Sequence, residues 1–562
     1  MPNSPVAPEN LRGMNLINSP IWNKGTSFTP EERDAFALEG LLPPYVETLE
    51  EQSARAYSRI RPETSDIQKH MYLRGLQDTN EVLFYRLLLD HPDELLPLVY
   101  KPTVAEGCRK FTDIYRRPRG IFISYPLRDR IPELLRNRPY LEVDMIVVTD
   151  GEQILGFGDA GVSGLSVPIG KLSLYSLFGG IHPSRTLPIV LDVGTDNRAL
   201  LNDPAYLGWR HERVDDREYF GFVDQFVQAI REELPGTCIQ WEDLPGTKAQ
   251  RILNLYQDVI PTFNDNLQGT AAVTVATLDA AFKATDNLLR AGEIVLFGTG
   301  PTSIKTADYL CRHLARDGIS AADAGRRIWL VDEKGLLHDG RRDLSLEQTH
   351  YAKPLAEVST WMTNGQLGLE ALLKNIKASA LVGLSDLSDS FNETVVRTMA
   401  AQTRHPIILP LSPLASCSEA RAEELIRWTE GRGVIACGAM PSSFSFKGRM
   451  VKIAQCSSVY IFPGVGLGLA ASHAMRVTDD MMLAAARALA ARSPALDDSS
   501  KPLLPKLGDL RDVAVDLAMA VGLEAQDAGL APRTSEEELL QEIRDTQWRP
   551  EYPAVVIPTV AC

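Results

Sequence analysis

Short, nearly continuous apolar runs alternate with longer amphipathic stretches in two parts of the chain. Between Gly120 and Gln240 the runs are GIFISY, DMIVVTD and LPIVLDVGT; between 291 and 460 they are GEIVLFGTG, RRIWLVD, ALVGLSD, PIILPLS and GVIACGA. Each is bounded by Gly, Pro or Asp, and apolar residues on both faces predict strands covered on both sides by helices. The expected class is α/β, with two doubly wound parallel-sheet domains. The first hundred or so residues instead mix helical periodicity with proline-punctuated turns, as where Thr29 caps a helix with Pro30 at its first position, and predict a helical N-terminal segment. After Ile461 the pattern predicts a glycine-rich turn over FPGVGLGLAAS and a helix through MMLAAARALAAR capped by Thr478. A loop over RSPALDDSSKPLLPKLGD, an acidic helix from Ser535 to Asp545 and an extended tail, WRPEYPAVVIP, complete the prediction.

A chain of 562 residues exceeds what one core organises. A net charge of -15 supplies no basic field to displace phosphate counterions, which argues against nucleic acid as a partner. The 7 cysteines are scattered without a CxxC pair, as expected in a reducing compartment. The opening MPNSPVAPENLRG has neither the apolar run of a secretory signal nor an Arg-rich presequence pattern, and no run approaches the roughly 18 apolar residues of a spanning helix. The expectation is a cytoplasmic protein with no membrane partner.

Candidate chemistry begins where the strand ending at Phe297 runs into Gly298-Thr299-Gly300-Pro301-Thr302-Ser303. This is GxGxxS rather than GxGxxG. Gly298 allows the tight turn, Gly300 lets the backbone approach a pyrophosphate at a helix N-terminus, and Ser303 is small enough for close helix packing. The next strand ends at Asp332, beyond the usual spacing of about 20 residues, with a polar insertion between Arg316 and Arg327 to absorb the excess. Asp332 would favour a ribose 2′-hydroxyl and so NAD, but Lys334 leaves NADP open. The pattern also fits a plain βα turn of any doubly wound sheet.

In the string QWEDL, Glu242 and Asp243 stand side by side, and with a third oxygen donor at Asn266 they make a hard-cation site for Mg²⁺ or Mn²⁺; in isolation such a pair is more often a solvated strand end. The 9 histidines form no HxxxH or HExxH pattern, which argues against a histidine zinc site. Lys171, among apolar neighbours on an expected helix, reads as a general base with a pKa depressed by burial and a nearby metal, or as a lysine snorkelling at a helix end. Tyr100, beside Lys101, reads as a proton donor or as a half-buried tyrosine at a strand end.

Together these strings resemble the malic enzyme family, which includes malolactic enzymes. The resemblance runs through NKGTSFTPEER, GLLPP, LVYKPTV, TDGEQILGFGDAG, GKLSLY, LPIVLDVGTDN, QWEDL, FNDNLQGTAAV, RIWLVDEKG and VYIFPGVGLG, nearly the whole chain. It implies a helical segment over 1–117, a catalytic domain over 118–264 completed by about 458–530, a Rossmann-like NAD(P)-binding domain over 265–457, and a C-terminal helix and tail over 531–562. It further implies that Tyr100 protonates an enol, that Lys171 takes the hydroxyl proton as hydride leaves, and that Asp265 assists the lysine. Glu242 and Asp243 would hold the divalent cation, in the cleft between the two α/β domains. A homodimer or homotetramer is implied as well.

Departures from the family pattern fall where substrate and metal should sit. Its third metal aspartate is Asn266 here, and the arginine of its TDGER string, a clamp for a malate carboxylate, is Gln153. An amide cannot make that bidentate ion pair. The LSNPT string reads Leu411-Ser412-Pro413-Leu414-Ala415, with Pro413 for a substrate-facing asparagine, and QGNN reads Gln455-Cys456-Ser457-Ser458, with Ser457 and Ser458 for two amides. The expected function is therefore NAD(P)- and cation-dependent oxidative decarboxylation of malate or a related small 2-hydroxy acid. Two alternatives stand beside it: a redox-neutral lyase, decarboxylase or tautomerase on another acid, and a nucleotide-binding pseudoenzyme.

Overall fold

A computed structural model describes residues 11–285, 289–363, 365–439, 444–451 and 453–553. The N-terminal segment is helical, with α1 (Leu49–Ile60), α2 (Asp66–Gln77), α3 (Glu81–Asp90), α4 (Pro92–Val99) and α5 (Thr103–Arg109). Thr29 and Pro30 start a short helix as expected, with Glu32 completing a reciprocal capping box.

The first sheet contains β1 (Ile121–Ser124), β2 (Met145–Thr149), β3 (Thr186–Asp192), β4 (Cys238–Trp241) and β5 (Thr262–Asn264). Its order is β1-β3-β2-β4-β5, parallel throughout. Helix α6 (Ser166–Leu174) lies between β2 and β3 in sequence, α7 (Asp216–Glu233) precedes β4, and α8 (Gly246–Tyr256) precedes β5. A long buried helix, α9 (Thr270–Ala284), leads to the second sheet.

That sheet is built from β6 (Glu293–Phe297), β7 (Ile328–Asp332), β8 (Gly335–Leu336), β9 (Ala378–Gly383), β10 (Ile407–Pro410), β11 (Val434–Cys437) and β14 (Ala454–Gln455); a separate hairpin joins β12 (Phe444–Phe446) to β13 (Arg449–Val451). Its order, β14-β11-β10-β9-β6-β7-β8, is parallel except at the β7–β8 edge. The chain reverses direction across the sheet between β6 and β9, and such switch points open a crevice at the carboxyl ends of the strands. Helix α10 (Pro301–Arg316) begins there. Every apolar run read as a strand is one.

Where a glycine-rich turn was expected, Phe462–Ser472 forms a buried helix, α12, after α11 (Glu393–Gln402). Glycine costs about 1 kcal/mol in a helix relative to alanine, and packing outweighs that cost here. A Cβ on Gly464 would stand 2.6 Å from Leu517 and one on Gly468 2.9 Å from the Ala518 carbonyl, while one on Gly466 would overlap the Tyr175 ring. The glycines let α12 lie against α14 (Leu510–Asp527) and against the turn that follows α6. Helix α13 (Asp479–Ala491), capped by Thr478, packs on α9, and α15 (Glu536–Thr546) is the acidic helix capped by Ser535. The region read as a loop carries two single helical turns, Pro494–Leu496 and Leu507–Asp509. Of the expected tail, Trp548 donates from its backbone to the Gly180 carbonyl at 2.7 Å and Tyr552 donates to Gln52 at 2.6 Å; residues from 554 onward lie outside the described residues. No helix among the described residues is long and apolar enough to cross a membrane.

Two histidines tie this framework to pH. His70 donates from Nδ1 to the Leu98 carbonyl at 2.7 Å, and His182 accepts at Nδ1 from the Ser184 backbone at 3.2 Å. Burial, with Arg74 and Arg185 nearby, lowers both from 6.5 to about 4. Between those limits the unfolded chain takes up protons that the native chain refuses, so stability is complete above pH 6.5 and falls as pH drops toward 4. The expected loss is about 2 kcal/mol per histidine at pH 5. Urea midpoints measured from pH 7 to pH 5 test this, and His70→Gln should flatten its share of the slope.

Candidate active site

The carboxyl ends of β4 and β5 deliver the acidic groups. Glu242 and Asp243 follow β4 directly and are 0% and 3% exposed, so they are not a solvated strand end. Asp243 adopts a left-handed backbone, φ +53°, which turns the chain away from the sheet. After β5, Asn264 caps a widened helical turn by accepting from the Leu267 backbone at 2.9 Å, and Asp265 opens that turn. Gly269 leaves the space that Asp265 Oδ1 occupies, since a Cβ there would collide with it.

Helix α6 inserts Lys171, 1% exposed, between these carboxylates. Its ammonium pairs with Asp265 Oδ2 at very short range and with Glu242 Oε1 at 3.1 Å. The Phe462 ring lies 4.5 Å from Nζ and the Tyr100 ring 5.8 Å. Burial alone would lower the lysine pKa, but Asp265 and then Glu242 outweigh it and hold the pKa well above its ordinary value. The depressed value expected from sequence is thus corrected: the same apolar enclosure that disfavours the ammonium also strengthens its two ion pairs. Burial raises Glu242 to about 7, against the opposing charge of Lys171. Tyr100, 6% exposed, is pushed well above 10 by burial and so stays protonated, as a proton donor must.

Asn266 and Asp243 bond reciprocally. The Asp243 backbone donates to Asn266 Oδ1 at 2.9 Å, and Asn266 Nδ2 donates to Asp243 Oδ1 at 3.1 Å. Asp243 Oδ2 accepts from the Leu155 backbone at 2.9 Å. An aspartate at 266 would set two carboxylates against each other here, whereas the amide joins them. Among the described residues no group of three or more His, Cys, Asp or Glu side chains stands in metal-holding geometry. The donor chemistry nevertheless suits a hard cation: Asp265 Oδ1 is a buried oxygen that accepts no hydrogen bond, Glu242 Oε1 is engaged only by the Lys171 ion pair, and oxygens of Asp243 and Asn266 stand on the cavity wall.

A cavity of about 940 Å³ runs from Gln153, Asp243 and Asn266 to the turn at Gly298–Ser303 and to Asp332. Gly298 has φ +118°, and a side chain there would strike the Leu384 carbonyl. Gly300 has ordinary backbone and open space beyond its Cα, so nothing in the protein requires glycine there. The open space leaves room for a ligand to approach the backbone, as a pyrophosphate on the N-terminus of α10 would. Ser303 is fully buried against that turn. Asp332 is held bidentately by Arg341 at 2.8 and 2.9 Å.

Pro413, Ser457 and Ser458 line the same cavity. Ser458 does more than line it: its hydroxyl donates to Asp265 Oδ2 at 2.6 Å, so it shares with Lys171 the task of fixing that carboxylate. The predicted catalytic and cation-binding positions therefore cluster, and of them Asp243 and Asn266 reach the cavity that the predicted nucleotide and substrate positions line. Sequence reading missed Gln240, which donates to Glu242 Oε2 at 2.9 Å and accepts from the Tyr175 hydroxyl, although its place two residues before Glu242 on a strand puts both on one face. It missed Arg341 and Phe462 as well, for which no local signal exists.

Two family models match the chain: one described as malic enzyme, N-terminal domain, over residues 77–257, and one described as malic enzyme, NAD binding domain, over 267–526. The chain is 45% identical over 538 residues to a protein of Salmonella arizonae named NAD-dependent malic enzyme, covering 96% of this chain and 95% of that one. A protein of the same name from Salmonella agona matches equally, at 45% over 538 residues, with 96% and 95% covered. Among solved structures, the malic enzyme of Pyrococcus horikoshii aligns with a TM-score of 0.53 at 23% identity, covering 81% of this chain and 89% of that one. That of Entamoeba histolytica aligns at 0.55 and 20% identity, covering 91% of each. These two likenesses are of fold.

Proposed function

The chain belongs to the malic enzyme family, and from that premise we propose that it oxidatively decarboxylates malate, or a closely related 2-hydroxy acid, with NAD as hydride acceptor and a divalent cation. The observation that carries the reading is Lys171, buried between Asp265 and Glu242 beside a cavity that continues to the Gly298–Ser303 turn. Lys171 takes the proton of the substrate 2-hydroxyl as the neutral amine, after passing its own proton to the contacting Asp265, the carboxylate that Ser458 fixes. Tyr100 delivers a proton to the enol carbon from a hydroxyl that remains protonated at neutral pH. NAD held at the Gly298–Ser303 turn would supply the hydride acceptor, and Glu242, Asp243 and the Asn266 oxygen would hold a divalent cation that would supply polarisation of the 2-oxygen and weaken the carboxylates' hold on the Lys171 ammonium.

The 45% identity to proteins named NAD-dependent malic enzyme supports NAD over NADP; Asp332 would accept from a ribose 2′-hydroxyl, with its charge balanced by Arg341. Compartment and assembly follow the same reading: a cytoplasmic homo-oligomer. The test is carbon-13 NMR of labelled L-malate with purified protein, Mn²⁺ and either NAD or NADP. Pyruvate with stoichiometric NADH supports the proposal. Lactate without net NADH would replace it with malolactic chemistry, and unchanged malate would reject it.

A further inference from the structure

The cavity wall carries two cationic side chains, Lys101 and Lys334. Lys334 belongs to the nucleotide half, just after Asp332, and is paired with Asp343 at 2.7 Å. Lys171 nearby is enclosed by its two carboxylates. Lys101 differs from both: among the described residues its ammonium has no ion pair and no hydrogen bond, and its one contact is the Tyr100 ring, 5.6 Å away. Of the other polar groups on that side, Gln153, Asn266, Ser457 and Ser458 carry no charge and Asp243 is an anion. An anionic substrate entering this half of the cavity therefore meets a single unneutralised cation.

We propose that Lys101 is the carboxylate anchor of the pocket. Its ammonium pairs with a carboxylate of the substrate, the task that a guanidinium at position 153 would perform, and so sets the preference for a dicarboxylic over a monocarboxylic 2-hydroxy acid. This rests on the reading of the site as one for malate or a near relative. An ammonium on a flexible stem pairs without dictating the plane of the carboxylate, unlike the forked guanidinium. Lys101 therefore gives attraction with less geometric selection, and a pocket anchored this way accepts a wider set of dicarboxylic acids. The anchor also adjoins Tyr100, so a bound carboxylate registers the substrate against the proton donor.

Lys101→Met and Lys101→Arg test the assignment, with L-malate and L-lactate as substrates and as calorimetric ligands in the presence of Mn²⁺ and NAD. For Lys101→Met, KM and Kd for malate should rise about 10- to 100-fold. The malate-to-lactate ratio of kcat/KM should fall by the same factor, and Lys101→Arg should restore most of both. Malate binding as tight as in the unsubstituted protein overturns the proposal. Equal losses for malate and lactate overturn it too, because they mark only a displaced Tyr100. If the unsubstituted protein turns over no malate, the functional reading fails separately. Calorimetry then judges the anchor: a malate affinity that collapses in Lys101→Met supports it, and equal affinities in both proteins reject it.

Discussion

Lys171→Ala is expected to lower kcat for malate by about 10³-fold, a loss typical of removing a positioned acid or base, and to destabilise the protein as well. The two effects have separate origins. Turnover falls because the amine assigned to the 2-hydroxyl proton is gone. Stability falls because Asp265 and Glu242 are left facing each other in a buried space, and removing one partner of a buried ion pair costs about 3 kcal/mol or more. Urea unfolding measures the second effect and initial rates under fully folded conditions measure the first. Rates unchanged in the alanine variant would remove Lys171 from the mechanism.

Tyr100→Phe should separate the later proton transfer from the earlier one. Among the described residues the hydroxyl makes no hydrogen bond, so its loss leaves no buried partner stranded and stability should change little. Turnover should fall about 10²-fold. The enol would then take its proton from solvent, so the pyruvate methyl group formed from C3-tritiated malate in D₂O should lose its chirality. Full retention of chirality would assign the proton to another group. The upward shift of Tyr100 has a further consequence: activity should show no titration of this tyrosine up to pH 10, because burial keeps the phenol neutral there.

The fold was legible because its strands are buried on both faces, and such strands announce themselves as unbroken apolar runs ending in turn residues. Residues 462–472 were not legible: glycines that signal a turn locally are, in the structure, the small residues that let one helix lie against another. The carboxylates and the lysine could be named from their strings, but not the balance among them. Lys171 reads as a depressed amine until Asp265, 94 residues away, is placed beside it. Asn266 likewise reads as a metal ligand that keeps its oxygen and loses a charge, and only the structure gives it the second role of holding Asp243 in a left-handed turn. Ser458 reads as a substrate-facing hydroxyl and proves to be a partner of Asp265, 193 residues earlier.

Helix α12 has a bearing on how the protein is made. Lys171, Glu242 and Asp265 all leave the ribosome before Ser458 and Phe462, the residues that complete the surroundings of Asp265 and Lys171. An unfinished chain can therefore carry every acid and base of the reaction, with a complete glycine-rich turn, and still lack the contacts that fix them. Synthesis confers competence late, when the C-terminal helices dock, so incomplete chains awaiting degradation would not draw on the cell's malate or NAD.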